Sequence, residues 1–131
     1  MNFRKLDFQL ESWTRPGDLI LVQAAPSDVV GIARYLREDI PLASWAAGPR
    51  GTRKMPADLE LLLAGRRRVE LVKVGQFGAP APPEAWLLAR ARLLRHELYP
   101  SFTEVMYFEP ADGDVFFPRL SQRPGGTRFA R

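Results

Sequence analysis

The chain contains no cysteine. That excludes disulfides, a thiolate nucleophile and any thiolate metal site, and makes a cytoplasmic location the expectation. Histidine and asparagine each occur once, so no His-x-x-x-His metal pair can be written. No apolar run approaches the roughly 18 residues that span a bilayer. Residues 1–13, MNFRKLDFQLESW, alternate charge with bulk where a secretory leader would carry an apolar stretch. Neither a membrane partner nor a leader is therefore expected. Phosphate-binding Gly-x-x-x-x-Gly-Lys-Ser/Thr, dinucleotide-binding Gly-x-Gly-x-x-Gly and the Gly-x-Ser-x-Gly nucleophile elbow are all missing, which removes the motif-bearing nucleotide enzymes and serine hydrolases.

What is present is ordinary in amount and uneven in placement. A length of 131 residues with 46% hydrophobic and 26% charged side chains fits one soluble domain with one real core. Net charge is +4, and Arg119, Arg123, Arg128 and Arg131, with no acid among them, supply all of it. The remaining 118 residues hold basic and acidic groups in equal number, so the high pI belongs to the tail. A protein that coats nucleic acid is more often basic throughout. Arginine dominates lysine, and Asn is scarce, which points to a GC-rich, thermophilic source.

The chain is organised around residues 65–75, G-RRR-VELVKV-G. Glycines bounding a short Val/Leu run mark a buried strand, expected in the middle of a sheet with its basic entrance at one rim. Residues 19–24, LILVQA, read as a strand covered on both faces. Phe3, Leu6, Leu10 and Trp13 favour a helix over residues 2–13, with a strand as the alternative because Leu6, Phe8 and Leu10 also alternate, and Arg15-Pro16-Gly17-Asp18 reads as a turn. Ser27 is placed to cap a helix whose inward stripe is Val29, Ile32, Ala33 and Leu36. Residues 42–47 are weakly strand-like, with Trp45 in the core. Pro56, Asp58 and Glu60 open a leucine-rich helix that Gly65 closes. Residues 76–83 read as a stiff loop. The stripe Leu87, Ala91, Leu94 and Leu98 predicts a helix over Pro83–Leu98, and Pro100 forbids its continuation. Alternation over Phe102–Phe108, the turn signal Ala111–Asp114 and Val115-Phe116-Phe117 predict a closing hairpin. The expected fold is α+β: one compact domain, residues 1–118, with a mixed sheet of about four to five strands packed against helices and a C-terminal β-hairpin, a small open α/β fold being the less favoured alternative. Residues 119–131 are a basic tail packed on the body or on a partner subunit.

Four groups of residues are candidates for function. Arg50, Arg53 and Lys54 in the glycine-bounded loop GPRGTRK, with Arg66, Arg67 and Arg68, suit phosphate oxygens, although a solvated loop and strand entrance paired to acids explains them as well. The tail arginines, interleaved with Gly-Gly and Phe129, suit a nucleic-acid backbone with one stacked base, or an oligomer arm. His96 with Glu97, Glu104, Glu109, Asp112 and Asp114 could hold a metal or move a proton, but Asp112 and Asp114 are accounted for by the turn. No metal, cofactor or catalytic residue is assigned. Trp86 lies off the leucine stripe of its helix and, with Phe129, is an interface candidate.

The runs GDLILVQAAPSDVVGIARYLRE and RRRVELVKVG resemble a small family of uncharacterised proteins from Thermus and Deinococcus relatives. The resemblance implies a compact α+β fold and supplies no activity and no functional residue. The expectation is a non-catalytic, homodimeric binder of nucleic acid or a phosphate-bearing ligand. The alternatives are an assembly module whose tail docks on a partner subunit and, less favoured, a small enzyme built on His96.

Overall fold

The glycine-bounded run becomes the middle strand of a five-stranded mixed sheet. The computed structural model describes residues 3–45, 54–75 and 82–121. In chain order the elements are α1 (Arg4–Trp13), β1 (Asp18–Gln23), α2 (Pro26–Tyr35), β2 (Leu42–Ser44), α3 (Ala57–Leu63), β3 (Arg68–Val74), α4 (Pro82–Arg90), β4 (Ala91–Tyr99), β5 (Thr103–Pro110) and α5 (Pro118–Ser121). The sheet order is β2-β1-β3-β5-β4. β1 runs parallel to both β2 and β3, while β5 is antiparallel to β3 and to β4. This is an α+β fold in one domain, with helices on both faces of the sheet.

Two apolar clusters, one per face, explain why β1 and β3 read as nearly continuous hydrophobic runs. Ile20, Val22, Val72 and Val74 pack with Leu6 and Leu10 of α1 and Ile32 of α2. Leu19, Leu21, Val69 and Leu71 pack with Leu59 and Leu63 of α3 and Leu87 of α4. Successive strand side chains point to opposite faces, so a strand covered on both sides must be apolar at nearly every position. Full burial of each such side chain stabilises by about 1.5–3 kcal/mol.

Local expectations hold for the early elements and need correction later. α1 and α3 form where the spacing put them, and Trp45 is buried. Gly65, at φ +78°, ends α3 and donates its N–H to the Phe116 carbonyl. Ser27 does not cap α2: Ala25 is the cap residue, without a side-chain bond, and Pro26 takes the first helical position with its preset φ. α2 ends at Tyr35, and Ala33 is exposed.

The largest correction concerns Pro83–Leu98. Its helix stops at Arg90, and residues 91–99 form β4. The supposed inward leucines Leu94 and Leu98 are exposed. Pairing with β5 outweighs the helical preference of Leu and Arg, because it brings Arg92 to Glu109 and His96 to Glu104 across the ladder. The C-terminal hairpin is accordingly β4–β5. Residues 115–117 are not a strand: Phe116 exchanges backbone hydrogen bonds with Gly65 and Arg66, and Phe117 has φ 45°. The expectations for residues 46–53, 76–81 and 122–131 lie outside the described residues.

Candidate functional site

At the amino ends of β1 and β3 the backbone sets three arginines in different directions. Arg66 donates from Nε to the Leu62 carbonyl at the end of α3. The Arg67 N–H donates to the Gly17 carbonyl, and the Arg67 side chain lies across that glycine, where a Cβ would sit 2.9 Å from its Cγ and Cδ. Gly17 also holds φ +93°, so the turn needs glycine for both conformation and room. Arg68, half-buried, reaches back under the turn. It donates from Nε (3.2 Å) and Nη2 (2.9 Å) to Asp18 Oδ2 and from Nη2 to the Trp13 carbonyl at the end of α1. The Arg15 N–H also donates to Asp18 Oδ2.

Behind this pair lies Glu70, fully buried. Thr14 Oγ1 donates to Glu70 Oε1 at 3.0 Å, while Oε2 receives no donor. Burial, and then the neighbouring Asp18 carboxylate, push the Glu70 carboxyl up to about 8. The missing donor has the same explanation. A carboxyl raised in this way favours its protonated form, which needs no donor at Oε2.

Arg15, Pro16, Asp18, Arg67 and Arg68 line a half-open cavity of about 460 Å³ together with Glu109, Pro110, Gly113 and Asp114. Two of its carboxylates already have cations, since Asp18 pairs with Arg68 and Glu109 with Arg92 at 2.8 Å. Among the described residues no ion pair engages Arg15, Arg67 or Asp114. The rim thus offers two guanidinium groups against one exposed carboxylate.

A second polar cluster occupies the opposite end of β3. Lys73 Nζ donates to Glu84 Oε1 of α4 at 2.6 Å and lies 3.5 Å from Glu104 Oε1, and His96 Nε2 meets Glu104 Oε2 at 2.7 Å. The register explains the grouping: Gln23 of β1, Lys73 of β3 and Glu104 of β5 stand abreast. The His96 hydrogen bond, helped by the Lys73 charge, lowers the Glu104 pKa below the ordinary carboxylate value. His96 does not line the cavity, and Glu97, Asp112 and Asp114 are not part of its cluster with Lys73 and Glu104. Glu97 instead pairs with Arg95 and accepts from the Tyr99 and Tyr107 hydroxyls. Among the described residues no three His, Asp or Glu side chains are grouped to hold a metal ion.

The remaining candidates are dispersed. Lys54, before α3, and Arg119, in α5, are exposed away from the cavity, and Trp86 is half-buried against Phe117 with Arg90 over its ring. Arg50, Arg53, Arg123, Arg128, Phe129 and Arg131 lie outside the described residues. A larger and more open depression of about 620 Å³ between α1 and α2 carries Arg4 and Arg34, but both act on Tyr35, whose hydroxyl they lower in pKa. Sequence reasoning missed Arg15, Asp18, Glu70, Lys73 and Glu84. The available signal was a charged residue inside or at the mouth of an otherwise apolar strand, where burial demands a partner.

No family model matches the chain, and no curated protein or solved structure matches it significantly. The resemblance to the small Thermus and Deinococcus family therefore rests on the two stretches of sequence that suggested it.

Proposed function

We propose that the protein binds a small phosphate-bearing ligand in the cavity between the α1–β1 turn and the end of β5. One observation carries the reading: Arg15 and Arg67 share one cavity rim, and neither guanidinium is engaged by a carboxylate among the described residues. Guanidinium forks match phosphate oxygens bidentately, and a cavity of about 460 Å³ has the volume of an ordinary small-molecule site. Arg68 keeps Asp18 neutralised, so the cavity wall does not repel an anion. A nucleic-acid track is less well supported, because Arg66, Arg67 and Arg68 diverge instead of following one backbone. Acid–base catalysis through His96 finds no support in this cavity, since His96 does not line it.

The test is calorimetric titration of the full chain with inorganic pyrophosphate and a nucleoside monophosphate at low and moderate salt. Binding should weaken with salt. Arg67→Glu should cost at least about 1.5 kcal/mol, roughly tenfold, as expected for loss of a charged hydrogen-bond donor. An absence of binding heat for both probes at low salt, with the thermal midpoint also unmoved, would rule the reading out.

A further inference from the structure

We propose that β4 is an interface between two copies of this chain, paired edge to edge and antiparallel about a two-fold axis at His96. β4 closes the sheet order beyond β5, and its outer flank has no strand partner among the described residues. It is nine residues long, whereas β2 at the other edge has three. Long open edges invite pairing, and proteins that avoid it shorten, cover or distort them. Here a bulge between Leu93 and Arg95 interrupts the ladder, but Arg95–Tyr99 remains regularly paired with β5. On the exposed side Leu98 is 74% accessible and Leu94 43%.

The sequence of the strand selects the register. In an antiparallel pair related by a two-fold axis normal to the sheet, directly opposed residues share a face, so the axis passes through a residue. An axis at Arg95 sets two guanidinium groups against each other, and one at Glu97 sets two carboxylates. An axis at Leu94 falls in the bulge. An axis at His96 opposes each Arg95 to the partner's Glu97 within the regularly paired stretch and brings each Leu98 toward the partner's bulge at Leu94. Opposite charges directly across a ladder stabilise it, and like charges oppose it. The charged side chains are also held in place beforehand. Arg95 lies 4.2 Å over the Trp13 ring, and Glu97 accepts from Tyr99 and Tyr107. In each copy they already touch, so pairing would close a ring of four alternating charges.

The test is sedimentation equilibrium of the full chain, with circular dichroism to verify folding of each variant. The wild type should be a dimer. Leu98→Lys changes only an exposed side chain and should raise the dissociation constant at least about tenfold by setting a cation against the partner's bulge at Leu94. Arg95→Glu and Glu97→Arg should each be monomeric alone, because like charges then face across the axis. Mixed in equal amounts they should form a heterodimer, since every opposed pair is again complementary. A monomeric wild type at the highest soluble concentration would overturn the proposal. So would a dimer that Leu98→Lys leaves intact, or two folded charge variants that fail to combine.

Discussion

At the amino end of β3, one cation serves two buried carboxyl groups: Arg68 neutralises Asp18, and Glu70 is left to keep a proton. At the carboxyl end the groups are matched. Lys73 contacts Glu84 and Glu104, His96 also contacts Glu104, and the Glu104 carboxyl is held below its ordinary pKa. The two ends differ in cover as well as in partners: Glu70 is fully buried, whereas Glu104 is 27% exposed. A buried carboxyl with a cation stays ionised, and one without a cation becomes a proton-binding group. Asp7 of α1 follows the second pattern. Neither of its buried carboxyl oxygens has a partner, and burial, with the nearby Glu11 charge, pushes its pKa up to about 7.

The sharpest way to break the contrast is to unbalance the matched end. Lys73 and Glu84 side chains are each only 9% exposed. Glu84→Gln leaves a buried ammonium with the more distant Glu104 alone, and should cost about 3 kcal/mol in urea denaturation at pH 7. A loss under 1 kcal/mol would mean that Glu104 moves in to replace the missing carboxylate.

The unmatched end predicts a pH dependence of the opposite kind. Glu70 and Asp7 have native pKa values above their unfolded ones, so the native state binds the extra protons and stability falls as pH rises from about 4 to about 8. Glu70→Gln replaces the carboxyl by a neutral amide, which has no charge to desolvate at any pH. It should gain on the order of 2 kcal/mol at pH 9 and little at pH 4. Parallel pH–stability curves for the wild type and the variant would show that Glu70 is ionised in the fold.

The smallest effect is expected at the rim of the matched cluster. His96 and Glu104 side chains are 40% and 27% exposed, and solvent-screened pairs contribute little. His96→Ala should lower stability by about 0.5 kcal/mol at pH 6. Glu104, whose native pKa is depressed, contributes above its unfolded pKa and loses that contribution as pH falls through the native value. The His96 variant should therefore begin acid unfolding at slightly higher pH.

The candidate site was only partly legible in the sequence. The triple arginine before β3 announced a basic entrance, yet its members point to a helix end, a turn and a buried carboxylate. Alternation along an extended chain sends neighbours to different places, so a run of like residues in sequence is not a patch in space. Arg15 and Arg67 meet because the α1–β1 turn lies beside the start of β3, a fact of tertiary packing.

By itself the sequence determined the strands covered on both faces, the leucine-rich helix α3 and the neutrality of the body against its basic tail. These follow from local periodicity and composition, which need no knowledge of neighbours. Residues 91–99 carry a leucine spacing that serves a helix and charges that serve a ladder, and only the presence of β5 decides between them. The same holds for the ionisation of Glu70 and Glu104. Both are glutamates in strands, and what distinguishes them is the burial that raises Glu70 against the His96 hydrogen bond and Lys73 charge that lower Glu104.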